Sequence, residues 1–160
     1  MARVSIAILF TFCFSGKVLS WEEDGFRSGM TIDEIRQRII ASGHILEKPR
    51  PGVQGAIYLH ARSENGHFSQ NFVFCNNSLT TYEKQPSGNF VAYVRILEVL
   101  IGTHGQPIIR ATNQPDTYFH LVAKWKMNAV DDLLLSLVHN NGKSLIRIIY
   151  EDKKLRDRCK

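Results

Sequence analysis

The chain has little to do redox or metal chemistry with. It holds three cysteines, none in a C-x-x-C pair, which removes the common zinc and dithiol frameworks. Its six histidines, His44, His60, His67, His104, His120 and His139, are scattered. No H-E-x-x-H helix or histidine pair at ligand spacing occurs, so no metal is expected. Ser78, Ser136 and Ser144 lack the G-x-S-x-G setting of a nucleophile elbow. No glycine loop of the phosphate-cradling kind is present, and no cofactor is expected. Asp131 and Asp132 are adjacent rather than opposed across a cleft, and read as turn residues, not as an acid–base pair. These absences lean away from an enzyme.

What is present begins with MARVSIAILFTFCFSGKVLSW. A basic start at Arg3 leads into an apolar run, Val4 to Phe14, about half the ~20 residues that cross a bilayer. Val18 and Ser20 occupy the positions a signal peptidase reads when it cuts before Trp21; a cut after Ser15 is a second option. Phe12 stands where a lipoprotein needs a small residue before Cys13. Residues 1–20 therefore read as a cleavable signal, and the protein as exported, periplasmic or secreted.

Export settles the cysteines. Cys13 leaves with the signal, and Cys75 and Cys159 remain to form one disulfide. Closing that loop contributes roughly 4 kcal/mol by the chain-entropy argument. About 140 residues remain, enough for one domain with a real core. Arg3 and Lys17 also leave, so the net charge falls from +5 to +3. That suits an anionic partner and does not point to nucleic acid.

Residues 21–30 are polar and glycine-containing, and read as a flexible segment ahead of a single domain over 31–160. In MTIDEIRQRIIASGH, Thr31 and Glu34 make a capping box, Ile32, Ile35 and Ile39 share a stripe, and Gly43 supplies the stop. HILEKPRPGVQG reads as a loop or irregular edge. GAIYLHAR alternates as a half-buried strand, Asn65-Gly66 turns it into FSQNFVFC, and Asn76-Asn77 turns that into SLTTYEK. A second helix follows, capped by Ser87 or Asn89, with Phe90, Val94, Leu97 and Ile101 on its stripe and Gly102 or Gly105 at its end. Four strands close the chain: IIRAT, TYFHLVAKWKM, DDLLLSLVH and KSLIRIIY, the last two joined by Asn141-Gly142. The charged tail would fray but for Cys159. The expected fold is α+β, an antiparallel sheet of about six to seven strands with two helices on one face, in the order α-βββ-α-ββββ.

Alternation puts Tyr58, His60 and Arg62 on the polar side of one strand, and His120, Lys124 and Lys126 on that of another. These six are the candidate binding residues, for phosphate, lipid head groups or an acidic protein surface. If the two strands are neighbours, His60 and His120 approach each other.

The phrase SGMTIDEIRQRI resembles the start of small exported bacterial domains in the group of the outer-membrane assembly lipoprotein BamE and the β-lactamase inhibitory protein. FVFCNNSLTTYEK is similar to hairpins of small secreted bacterial proteins. The resemblance implies an envelope setting and a binding role; it assigns no site residue, and without a lipobox cysteine the lipid tether does not follow. The expected function is thus a non-enzymatic binding domain for a protein or anionic envelope partner. The alternative is a small extracytoplasmic hydrolase with His60 or His120 as base.

Overall fold

The computed structural model describes residues 21–114, 118–129 and 131–159; the signal reading and part of the turn after IIRAT lie outside them. Over the described residues the protein is a mixed α/β fold built on one large antiparallel sheet with three helices. A ribbon of β1 (Glu22–Glu23) and β2 (Phe26–Arg27) comes first, then α1 (Ile32–Ala41) and the short edge strands β3 (Ile45–Leu46) and β4 (Arg50–Pro51). Strands β5 (Ile57–Arg62), β6 (Phe68–Cys75) and β7 (Ser78–Pro86) form a meander. Helix α2 (Phe90–His104) crosses to β8 (Ile108–Gln114), β9 (Tyr118–Lys126), β10 (Asp131–Asn140) and β11 (Lys143–Asp152), and α3 (Lys153–Arg156) ends the fold.

The seven long strands overlap those expected from alternation, with β8 running on through Asn113 and Gln114 of the stretch read as a turn. The two extra pieces, β3 and β4, come from the stretch read as a loop; both pair with β5 and bring the sheet to nine strands. Spatial order is β3-β5-β6-β7-β11-β10-β9-β8. The second meander is therefore laid down from its far edge inward, and β11 closes the sheet against β7.

Local signals explain the elements. Thr31 Oγ1 accepts from the Glu34 backbone N–H at 3.3 Å and Glu34 returns a bond to Thr31 N–H at 2.7 Å, the reciprocal cap. Asn89 caps α2 through the N–H groups of Val91 and Ala92, and Gly105, at φ 77°, ends it. Asn76-Asn77 and Asn141-Gly142 all take positive φ, as a two-residue hairpin turn with the sheet's right-handed twist requires.

One face of the sheet is the core. A single register row, Leu59–Phe72–Tyr82–Tyr150–Leu133–Trp125, crosses six strands, and all six side chains are buried. Ile35 and Ile39 of α1 and Tyr93 and Leu100 of α2 join the same cluster. Burying each such side chain contributes roughly 1.5–3 kcal/mol. Trp125 Nε1 donates to the Gly105 carbonyl at 2.8 Å and fastens the end of α2 to β9.

The segment 21–30, expected to be flexible, is packed. Trp21, Phe26 and Met30 enter the core, where Phe26 meets Phe72 edge-on at 5.0 Å. Lys84, on the core side of β7, is held by Glu23 and Asp24 of this ribbon and lies over the Tyr150 ring. The polar letters of WEEDGFRSG hid apolar anchors. The tail is also ordered: α3 is capped by Asp152, and Cys159 is bonded to Cys75 with the Cα atoms 5.1 Å apart.

Candidate functional site, the open face of the sheet

The opposite face carries the six candidate residues. All lie on it by register, because each stands an odd number of steps from a core residue on its strand: Tyr58 and His60 flank Leu59, and Lys124 and Lys126 flank Trp125. The structure does not gather them. Four strands separate β5 from β9, which at ~4.8 Å per spacing puts His60 and His120 roughly 24 Å apart. The condition for paired imidazoles fails, since β5 pairs with β6 and the short β3 and β4, and β9 pairs with β8 and β10.

A band of polar side chains fills the space between. His60 Nδ1 and Asn71 Oδ1 are 2.7 Å apart, and Asn71 Nδ2 donates to Glu83 Oε1 at 3.3 Å. Gln85 donates to the same oxygen. Arg147 on β11 grips Glu83 with two bonds, Nε to Oε1 at 2.9 Å and a terminal nitrogen to Oε2 at 2.7 Å. Burial alone would raise the Glu83 carboxyl; the donors of Arg147, Gln85 and Asn71 outweigh it and hold the group below the usual carboxylate range. Arg147 faces Ser136 in register, and Ser136 Oγ lies 2.9 Å from His120 Nε2. The two singled-out histidines thus stand at opposite ends of one band.

Among the described residues, depressions of three kinds mark this face. One of about 290 Å³ is bordered by His60, Asn71, Tyr58 and the Glu47–Arg50 loop. The largest, about 640 Å³, has Tyr58, Val73 and Ile149 on its floor with Glu83 and Arg147, and the disulfide-held tail with Arg156 as a wall. The third, about 410 Å³, spans β8 to β10 between Arg110, Thr112, His120 and Lys124. Arg62, on β5, belongs to none of the three.

Charge is unevenly spread. Open-face positions of β8 to β10 hold Arg110, Lys124 and Lys126, and among the described residues Asp132 is the acid beside them. Asp132 is buried and accepts from Lys124 at 2.7 Å and Lys153 at 2.5 Å. Burial pushes its carboxyl up, but the two ammonium groups prevail and lower it. Asp131 and Asp132 are therefore not turn residues: they open β10 and point to opposite faces.

The sequence reading missed Asn71, Glu83, Arg110 and Arg147. Alternation in SLTTYEK and KSLIRIIY already puts Glu83 and Arg147 on polar faces; their meeting depends on a strand pairing that no local signal reveals. Among the described residues no group of three or more His, Cys, Asp or Glu could hold a metal ion, and no helix is long and apolar enough to cross a membrane. Comparison with protein-family models, curated proteins and solved structures gives no match to this chain.

Proposed function

We propose that the protein is an exported, non-enzymatic binding domain that takes an anionic surface of the cell envelope on the open face of β8 to β10. One observation carries this reading: Arg110 and Lys124 line a 410 Å³ depression on that face, Lys126 stands two residues along the same strand, and one buried acid, Asp132, lies beside the lysines. Cations on a flat sheet face attract anions at long range and are screened by salt. The resemblance of SGMTIDEIRQRI to exported envelope domains agrees with it.

Cosedimentation of the mature chain with phosphatidylglycerol and phosphatidylcholine vesicles tests it. Binding should be confined to the anionic vesicles, fall with salt, and drop on Arg110→Glu with Lys126→Glu. Lys124 is a poorer probe, because its loss also takes away one of the two cations that hold the buried Asp132. Equal binding of both vesicles, or none to either, removes the reading.

A second reading has its own observation, the 2.9 Å contact between His120 and Ser136. A serine hydrolase would use them as base and nucleophile. Ser136 is 4% exposed and sits mid-strand, where the ladder occupies the backbone N–H groups an oxyanion would need. Covalent labelling by a fluorophosphonate, lost on Ser136→Ala, would revive the hydrolase.

A further inference from the structure

At the start of β10 and the end of β11, Asp131 and Asp152 face each other as register partners, 1% and 5% exposed. Both project to the core side, two residues from Leu133 and Tyr150. Among the described residues neither has a cationic partner. Asp152 is otherwise satisfied: it accepts from Ser28 Oγ at 3.0 Å and from the Leu155 N–H at 2.9 Å. Asp131 is only half satisfied. Its Oδ2 accepts from Asn128 at 2.6 Å, while Oδ1 is buried with no hydrogen-bond partner.

Trp21 lies beside this acid pair: its carbonyl is bonded to Ser28, whose hydroxyl donates to Asp152, its ring is 6.0 Å from that of Tyr150, and its backbone N–H is turned toward the Asp131 carboxyl. Burial raises the Asp131 carboxyl, the neighbouring charges of Asp152 and Asp132 add to that, and the Asn128 and Trp21 donors only partly offset it. Trp21 has no freedom to leave. It is 3% exposed, its ring stacks on Tyr82 at 6.3 Å, and its carbonyl accepts from Ser28 N–H at 3.2 Å. A peptide nitrogen there offers one neutral N–H to a buried acid that needs a cation. A chain terminus there would offer three N–H groups and a positive charge.

We propose that hydrolysis of the Ser20–Trp21 bond turns this nitrogen into an α-ammonium that forms an ion pair with Asp131, so that removal of the leader completes the fold. The proposal rests on the export reading and goes beyond it by selecting the cut before Trp21 over the cut after Ser15. The reaction is ordinary peptide hydrolysis by a signal peptidase. Water supplies the hydroxyl that leaves Ser20 as a carboxylate and a proton to the departing nitrogen. The free amine, with an ordinary pKa of ~8, takes a second proton at neutral pH. A cut after Ser15 would leave residues 16–20 in place and an amide at Trp21.

The test compares the chain beginning at Trp21 with the same chain beginning at Ser20, each with and without Asp131→Asn. The Trp21 chain should melt higher by roughly 5 °C, and the gap should vanish in Asp131→Asn. Equal melting, or a gap that survives Asp131→Asn, overturns the pair. Should Asp131→Asn fail to fold, Nα-acetylation of the Trp21 chain replaces it: acetylation should erase the advantage, and an unchanged melting temperature overturns the proposal. Intact mass of exported protein separates this from the export reading. A terminus at Gly16 defeats the pair and leaves export standing, whereas a leader retained in the cytosol defeats both.

Discussion

Glu83 and Arg147, 64 residues apart in sequence, meet across the β7–β11 seam with both carboxylate oxygens engaged. Each half of the sheet contributes one charge, so the ion pair exists only once the halves have joined. Arg147→Ala should cost about 2 kcal/mol, toward the low side for a broken buried pair because Arg147 is 37% exposed and water partly replaces it. Urea denaturation measures it. Glu83→Gln combined with Arg147→Met should recover most of the loss, and a double variant as unstable as the single one would contradict this account.

Stability should fall at acid pH through Glu83 and Asp132. Both carboxyls are lowered in the folded state, so their contribution is full above the unfolded carboxyl range, near ~4. It is lost as pH drops through the folded values. Glu83→Gln should flatten the acid limb of a melting-temperature profile, and an unchanged limb would assign acid lability elsewhere.

Reduction of Cys75–Cys159 should lower stability by about 4 kcal/mol, the chain-entropy value for so long a loop. It should also loosen the wall of the 640 Å³ groove, since Asn76 bonds the tail at the Arg158 carbonyl beside the cross-link. Calorimetry with and without reductant checks the first effect; faster amide exchange confined to α3 and its neighbours checks the second.

Tyr82→Phe should cost about 1–2 kcal/mol. The Tyr82 hydroxyl lies in the core, accepts from Gln70 at 2.7 Å and donates to Asp24 at 2.9 Å, so its loss strands a buried amide N–H. Gln70→Leu added to Tyr82→Phe should restore part of the loss in thermal denaturation.

The elements were readable because short-range chemistry sets them: the Thr31–Glu34 box, the paired asparagines, and the period-two patterns of β5 to β11. The N-terminal ribbon was not readable, because Trp21 and Phe26 sit too far apart to make a periodic run and their burial depends on the distant sheet. The site was half readable. Alternation assigned all six candidate residues to polar faces, but strand order decides who meets whom, and that order is set by α2 carrying the chain to the far edge. His60 meets Asn71 across the β5–β6 hairpin and His120 reaches Ser136 across β9–β10, while that strand order keeps the two histidines apart.

The same crossing has a kinetic side. The β5–β7 meander emerges first, and the edge of β7 that β11 will cover stays open until residues some sixty positions later have been delivered. Closure of so non-local a seam is slow, and an unpaired edge in the interval is a template for the wrong strand. Partners that shield nascent chains, and slow rather than rapid refolding on dilution, should therefore favour recovery of the native form over aggregation.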